Sequence, residues 1–140
     1  MPIENNLESV LEMTRGYAEA LLTAQPMALG EKCPVPSTGG VYAIYEKTGL
    51  DGLQRIYVGK ASNLSRRIYC NHLSGAKEPK SSLRWWLNEK RQIPIGPEGR
   101  DWLAANCSIA FVVVENADIR GLVEAAVIAA VRTPQLYNMV

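Results

Sequence analysis

Apolar residues in the first part of the chain recur with the spacing of an α-helix. Between residues 4 and 24 they return every three or four positions, at Leu7, Val10, Leu11, Ala18, Leu21 and Leu22. This period predicts an amphipathic helix. The next stretch, QPMALGEKCPVPSTGG, contains three prolines and three glycines. We therefore expect a connector, with the helix packed as an appendage to the remaining chain.

Two β-rich runs flank a short turn and predict a hairpin. VYAIYE begins at Val41 and QRIYVG begins at Gln54, and both are rich in residues that favour strands. KTGLDG between them contains an Asp-Gly pair, which is common in hairpin turns. CSIAFVVVE, from Cys107, predicts a third, buried strand.

Four more helices are predicted after the hairpin, and capping residues or prolines mark their ends. Ser62 and Asn63 can cap the first of these helices, and Asp118 can cap the last. Pro97 suits the first turn of a helix, whereas Pro134 prevents the last helix from continuing. The predicted helices cover residues 62–73, 82–91, 97–105 and 118–131. The order α, β, β, α, α, α, β, α predicts an α+β fold, a small sheet with helices packed on it.

The composition is that of one ordinary globular domain. The chain has 140 residues, 47% hydrophobic and 21% charged, which is enough for a single core. No apolar run approaches the ~20 residues of a membrane span, and MPIENNLESV lacks the features of a secretion signal. Cys33, Cys70 and Cys107 are widely spaced and fit reduced thiols better than a zinc site or disulfides. We expect a cytoplasmic protein with no membrane partner.

The overall charge does not indicate a nucleic-acid binder, since 15 basic residues face 14 acidic ones. Anion affinity must therefore come from a local cluster, and RIYVGKASNLSRR, residues 55–67, supplies one. Gly59 permits a tight turn, Lys60 leaves the strand end, and Arg66 and Arg67 lie one turn into the next helix. Together they can form an anion site. A solvated basic helix face is the alternative.

Glu124 is the only ionisable residue between Arg120 and Arg132, on a helix that is otherwise apolar. An apolar helix is usually buried, so a carboxylate there needs a partner. It can pair at the surface with Arg120, four residues earlier. It can also face a cleft and bind a metal ion.

Aromatic residues offer further candidates that packing can also explain. Tyr42 lies on the first strand of the hairpin, across from the strand of Tyr57, and His72 is the only histidine. Trp85 and Trp86 are adjacent on a predicted helix and point in different directions, so at most one is core. The other faces a partner or a nucleobase, or packs against the N-terminal helix, which is the reading we favour.

Several of these residues together resemble the GIY-YIG nuclease superfamily, which includes homing endonucleases, some restriction enzymes and the incision subunit of bacterial nucleotide-excision repair. GVY at Gly40–Tyr42 and YVG at Tyr57–Gly59 are similar to its paired motif. YVGKASNLSRR looks most like the repair subunit, with an arginine, Arg67, ten positions after the tyrosine. A late-helix glutamate and a closing asparagine match Glu124 and Asn138. The resemblance covers Gly40 to Asn138. It implies a nuclease domain over residues 40–140, preceded by an N-terminal helix and connector over residues 1–39.

The resemblance implies a three-stranded antiparallel sheet flanked by helices, and hydrolysis of DNA phosphodiesters with one divalent cation, Mg²⁺ or Mn²⁺. Glu124 would ligate the cation, and Arg67 would contact the scissile phosphate. The implied catalytic residues are Tyr42, Tyr57, Lys60, Arg67, His72 and Glu124, and the implied substrate-binding residues are Gly59, Arg66 and Asn138. A free tyrosine titrates near ~10. The resemblance also implies that Lys60 lies near Tyr42. We expect Lys60 and the cation to lower the pKa of Tyr42 so that it accepts a proton from water.

This sequence departs from the family pattern after the arginine. The family often has His or Tyr four residues beyond it, where this chain has Asn71, followed by His72. His72 takes that role only if the helix end is distorted, because an ideal helix turns it ~100° away. The spacings from Tyr42 to Tyr57 and from Glu124 to Asn138 are also longer than is common.

Three hypotheses for function follow. The leading one is a small metal-dependent DNA endonuclease, with a homodimer or a protein partner as the source of specificity. The second is a catalytically inactive module that keeps the fold and binds nucleic acid or protein through the basic turn. The third is a structural protein in which all of these residues have packing roles.

Overall fold

The computed structural model describes residues 4–30, 34–132 and 136–139, which form an α+β fold. The helices are α1 (Glu4–Thr23), α2 (Leu64–Arg66), α3 (Ser82–Arg91), α4 (Pro97–Asn106) and α5 (Ala117–Val131). A π-helical turn (Arg67–His72) follows α2, and a 3₁₀ turn (Tyr137–Met139) lies near the C-terminus. The strands are β1 (Met27–Ala28), β2 (Gly40–Thr48), β3 (Gly52–Ala61) and β4 (Cys107–Val113).

The sheet has four strands in the order β1-β4-β2-β3, and each neighbouring pair is antiparallel. The expectation of three strands is therefore wrong. The additional strand, β1, comes from the predicted connector and pairs Met27 with Ile109 and Ala28 with Ser108. Two residues are too few to show the alternation by which a strand is recognised in a sequence.

The β2–β3 hairpin determines which side chains share a face of the sheet. Tyr42 pairs with Gly59, and Ile44 pairs with Tyr57. Because successive side chains point to opposite faces, these four residues lie on the same face. β3 is at the edge of the sheet, so the outer side of its backbone needs partners other than a strand.

Helices cover both faces of the sheet and create two hydrophobic clusters. The cluster on the Tyr42 face includes residues of α2, the π-helical turn, α3 and α4. The cluster on the other face joins Ala18 and Leu21 of α1 to residues of α5. Since α1 and α3 lie on opposite faces, the expectation that Trp85 or Trp86 packs against the N-terminal helix is wrong.

α5 buries only one of its sides, although nearly all of its residues are apolar. Ile119, Val123 and Val127 are buried at helical spacing, whereas Leu122 is 46% exposed. Most other exposed positions of this helix are alanines, which lose little by contact with water. Glu124 is half-buried, at the boundary between the two sides.

Most predicted helices are confirmed, but two of the expected caps are not. Asn63 alone caps α2, where its Oδ1 accepts from the Arg66 N–H at 3.0 Å. Asn116, rather than Asp118, caps α5 through its side-chain oxygen. Pro134, the predicted stop, lies outside the described residues.

Across the described ranges, no helix is long and apolar enough to cross a membrane. Cys70 is exposed and Cys107 is buried, and both are free thiols. Burial raises the pKa of Cys107 to about 12, so this thiol is unreactive. Cys33 lies outside the described residues.

Candidate functional site

Tyr42 and Tyr57 stand side by side over Gly59 on one face of the hairpin. Their ring centroids are 6.2 Å apart. A Cβ atom on Gly59 would lie 2.5 Å from the Tyr42 Oη and 3.0 Å from the Tyr57 Cε2, so a larger residue would collide with both rings. Gly59, which we expected to bind substrate, is buried and makes room for the two tyrosines.

The predicted helix after β3 is distorted at its end. Past α2 the chain forms the π-helical turn, in which the Leu73 N–H donates to the Ile68 carbonyl, five residues earlier, at 2.8 Å. This wider turn accommodates an additional residue. As a result His72, rather than Asn71, lies one turn beyond Arg67. The condition under which His72 enters the site is therefore met.

His72 is buried beside the two tyrosine rings. Its Nε2 lies 2.5 Å from the Tyr42 Oη, and its ring centroid is 5.3 Å from the centroid of each tyrosine. Its Nδ1 lies 2.9 Å from the Ser81 Oγ, so both ring nitrogens have partners. Burial, together with the charges of Arg67 and Arg84, lowers the pKa of His72 to about 3. The imidazole is therefore neutral near pH 7.

Two serines at the start of α3 support the site, and neither is among the residues predicted from the sequence. Ser81 caps α3 by accepting from the Arg84 N–H at 3.2 Å, in addition to its contact with His72. The Ser82 hydroxyl forms a hydrogen bond with Tyr57 that lowers the tyrosine pKa. A serine pair before a helix indicates a cap, but it does not indicate which ring the cap contacts.

Arg84 fixes the loop between the π-helical turn and α3. Its guanidinium is buried and donates to three backbone carbonyls, those of His72, Ser74 and Gly96. In the part of the chain that the structure describes, no carboxylate forms an ion pair with it. Burial lowers the pKa of Arg84. A buried cation depends on its hydrogen bonds, so the loop and His72 are held in place together.

Both tyrosine hydroxyls are difficult to ionise. Tyr42 is 1% exposed, and burial, followed by the neighbouring Tyr57, raises its pKa well above the usual value. Burial also raises the pKa of Tyr57, which is half-buried. Arg67 opposes both shifts without cancelling them. The expected lowering of the Tyr42 pKa is therefore not observed in the protein alone.

Lys60 points away from Tyr42. It follows Gly59 on β3, and successive side chains on a strand leave opposite faces. Its Nζ lies 3.5 Å from the place that a Cβ on Gly121 of α5 would occupy. The expectation that the Lys60 ammonium lies near Tyr42 is wrong, and its charge acts instead on Glu124, whose pKa it lowers.

Two side chains complete the outer edge of β3. The Asn138 Nδ2 donates to the Val58 carbonyl at 2.5 Å, and its Oδ1 accepts from the Val58 N–H at 2.6 Å. Two positions along the strand, the Lys60 N–H donates to the Glu124 carboxylate. Asn138 therefore braces β3 with both the oxygen and the nitrogen of its side-chain amide. Glu124 is anchored at the strand end.

The Glu124 carboxylate does not pair with Arg120, which was one of the two alternatives. The Arg120 guanidinium donates instead to the carbonyls of Val114 and Glu115, both at 2.9 Å. Burial raises the pKa of Glu124, and nearby cations oppose this shift. The Glu124 charge also raises the pKa of both site tyrosines, so it acts within the same site.

Arg67 connects these groups electrostatically and lines a groove beside them. Its charge acts on Tyr42, Tyr57, His72 and Glu124 alike. The groove is lined by Ala61, Ser62, Asn63, Arg66, Arg67 and Asn71. Two guanidinium groups and two side-chain amides are donors that suit phosphate oxygens.

Glu124 can hold a divalent cation if the substrate supplies further ligands. Within residues 4–30, 34–132 and 136–139, no group of three His, Cys, Asp or Glu residues is placed to bind a metal ion. Mg²⁺ commonly binds one or two carboxylates, and phosphate oxygens and water complete its coordination. An anchored carboxylate beside a phosphate-binding groove fits this arrangement.

The chain has no match among protein-family models, curated proteins or solved structures. The resemblance to GIY-YIG nucleases therefore rests on the sequence motifs, and the function is inferred from the geometry of the site.

Proposed function

We propose that the protein is a metal-dependent endonuclease that hydrolyses phosphodiester bonds of DNA. The observation that carries this proposal is the convergence of five chemically suited side chains at the end of β3, from the hairpin, the π-helical turn and α5. They are Tyr42, Tyr57, His72, Arg67 and Glu124. A buried histidine and a half-buried carboxylate are costly to place, and packing alone gives no reason for them to meet here.

In this proposal Arg67 binds the scissile phosphate. Its planar guanidinium matches two phosphate oxygens and stabilises the charge that develops on them. Arg66 and the side-chain amides of Asn63 and Asn71, which line the same groove, hold the adjacent phosphate. These contacts fix the position of the strand but carry no sequence information.

Tyr42 and Tyr57 orient the attacking water, and Tyr42 takes its proton as the water oxygen bonds to phosphorus and the leaving P–O bond breaks. A divalent cation held by Glu124 would offset the phosphate charge and acidify a bound water. Tyr42 must first release its hydroxyl proton to solvent, and the imidazole of His72, 2.5 Å away, stabilises the resulting phenolate by donating from Nε2. The leaving oxygen takes a proton from solvent. The raised pKa of Tyr42 makes this donor necessary.

DNA is the partner in this proposal, and the chain needs help to bind it. With 15 basic and 14 acidic side chains, it has little non-specific affinity for a polyanion. A second copy or a partner protein would supply further contacts and allow both strands to be cut. A cytoplasmic location is part of the same proposal.

One observation favours a second candidate function, a catalytically inactive module that binds nucleic acid. Tyr42 is buried and its pKa is raised, and an enclosed, protonated phenol does not accept a proton from water. The groove beside Arg67 would serve either function.

Cleavage of supercoiled plasmid distinguishes the endonuclease from the inactive module. Wild type, Glu124→Ala and Glu115→Ala are compared with Mg²⁺ or Mn²⁺ and with EDTA. Glu115 is an exposed carboxylate just before α5 and provides the matched control. We expect metal-dependent nicking by wild type and Glu115→Ala, and loss of nicking in Glu124→Ala, because only Glu124 is anchored at the site.

Equal nicking by all three proteins would indicate a contaminant and remove Glu124 from the site. Absence of nicking by all three, with binding of DNA retained, would favour the inactive module.

A further inference from the structure

The first turn of α3 contacts the candidate site directly. The Ser81 Oγ lies 2.9 Å from the His72 Nδ1, and the Ser82 hydroxyl forms a hydrogen bond with Tyr57. Residues three and four apart share one face of a helix, so Trp85 and Trp86 lie one turn beyond these serines. Helical side chains lean towards the N-terminus of their helix, which directs the indoles back towards the site.

The two tryptophans form an aromatic pair of which Trp85 is exposed and Trp86 half-buried. Trp85 is 44% exposed. Its ring stands edge-on to that of Trp86, with centroids 4.6 Å apart and an interplanar angle of 80°. The Lys90 Nζ lies 5.4 Å from the Trp86 ring centroid. Trp86 is thus held between Trp85 and Lys90, while Trp85 leaves nearly half of its surface open to a ligand.

We propose that Trp85 is a stacking platform for an unpaired nucleobase of the strand whose phosphodiester lies at Arg67. This inference rests on the proposed function and narrows its substrate class to nucleic acid with a single-stranded segment at the cleavage point. Bases inside a duplex are already stacked on both faces, so away from the duplex ends only an unpaired base offers a free face. An aromatic ring stacks on any base. The platform therefore distinguishes unpaired from paired bases and does not discriminate between base types.

The charges around the pair fit a nucleotide. Lys80 precedes the two serines, Lys90 lies over the Trp86 indole, and the charge of Arg67 acts on the site histidine. Glu78, 4.0 Å from Lys80, and Glu89 on α3 offset part of this positive charge. Attraction to the phosphate backbone is therefore weak here, and stacking must supply the larger part of the affinity.

The test compares binding of two labelled DNA probes, a blunt duplex and the same duplex with an unpaired flap. Binding is measured by fluorescence anisotropy in EDTA, so that hydrolysis does not intervene. Trp85→Leu keeps an apolar side chain but removes the aromatic face, and Trp85→Phe keeps the face. Leu50→Ala changes a fully exposed apolar residue in the hairpin turn and serves as the control.

We expect wild type to prefer the flap probe. Trp85→Leu should weaken binding of the flap probe by roughly 5- to 150-fold, the loss of one base stack, and change duplex binding by less than about twofold. Trp85→Phe should retain most of the affinity, because a phenyl ring also stacks. Leu50→Ala should bind as wild type does.

Three results would overturn the platform: equal losses on both probes, unchanged affinity in Trp85→Leu, or no binding of either probe by wild type. A change from dimer to monomer in Trp85→Leu, seen by light scattering, would assign the indole to a contact between copies. Selective loss of flap binding, with no cleavage of the flap probe in Mg²⁺ or Mn²⁺, would keep the platform and reject the endonuclease. Cleavage with no effect of Trp85 on binding would reject the platform alone.

Discussion

His72 is held so that its imidazole stays neutral and its orientation is fixed. One neutral imidazole carries one N–H, so the partner of Nδ1 decides what Nε2 offers to Tyr42. Ser81 accepts from the Arg84 N–H at 3.2 Å, and its own hydroxyl proton remains free to donate to Nδ1. With Tyr42 ionised, as the proposed reaction requires, the Nε2–H of His72 can then be directed at the phenolate oxygen.

The burial of His72 predicts a specific loss of stability in mild acid. Its pKa is about 3 in the folded chain, against 6.5 for the free group, so the unfolded chain binds more protons between these values. The stabilisation is complete above pH ~6.5 and is lost as the pH falls towards ~3. Between about pH 7 and about pH 5.5, wild type should lose about 1 kcal/mol more free energy of unfolding than His72→Gln.

Urea denaturation of both proteins at the two pH values measures this difference. Glu124, whose pKa is raised, contributes with the opposite sign, but it does so in both proteins and cancels in the comparison. The same pH dependence in both would contradict a neutral, buried His72.

The role of Ser81 predicts different effects for two capping residues. Ser81→Asp keeps the helix cap but presents only acceptor oxygens to Nδ1 of His72. We expect it to raise the His72 pKa, to reverse the tautomer and to lower kcat of plasmid cleavage with little change in KM. Ser81→Thr keeps a hydroxyl and should behave as wild type. NMR titration of the single histidine reports its pKa. Equal effects of Ser81→Asp and Ser81→Thr would show that Ser81 acts only as a helix cap.

The π-helical turn is the element on which the site depends most and which the sequence predicts least. Asn63 and the apolar spacing of the following residues are local signals, so a helix that carries Arg67 after β3 could be predicted. The wider turn could not, because it forms only where burial of His72 against Tyr42 outweighs the poorer backbone geometry. The side on which Lys60 lies follows from strand alternation and could have been predicted.

Deletion of Asn71 tests whether the π-helical turn absorbs one additional residue. His72 would then follow Arg67 at the interval of an α-helix and keep its place. We expect a free energy of unfolding within about 1 kcal/mol of wild type. Deletion of Ala126 from the regular helix α5 is the control, since it turns Val127 out of the core and should cost about 3 kcal/mol or more. If urea denaturation shows comparable losses of unfolding free energy for the two deletions, the π-helical turn does not accommodate an additional residue.

In the whole molecule, the sheet separates two hydrophobic clusters, and the candidate site lies at its β3 edge. Periodicity and capping are local, so the α+β class and the order of the long elements could be predicted. Strand β1 and the placement of α1 and α3 on opposite faces depend on contacts between distant segments, and the sequence did not predict them. Glu124 likewise meets the tyrosines only because α5 reaches the sheet edge.

Asn138→Ala should destabilise the edge of the sheet. The Asn138 amide pairs with both backbone groups of Val58, and its removal leaves them without these partners at a cost of about 1–3 kcal/mol. We expect a lower urea midpoint and faster aggregation on mild heating, because an open strand edge pairs with other chains. Light scattering measures the aggregation. Asn138→Asp, which keeps one acceptor, should be intermediate, and wild-type behaviour of both variants would contradict the bracing role.

The pairing of Asn138 with Val58 also makes the lifetime of the site depend on a distant part of the chain. A side-chain amide that imitates a peptide group can be displaced by an extended peptide that offers the same donor and acceptor. Local opening of the 3₁₀ turn would release β3 two residues before Lys60, whose N–H holds Glu124. Opening of this short turn would therefore weaken the hold of the strand end on the carboxylate.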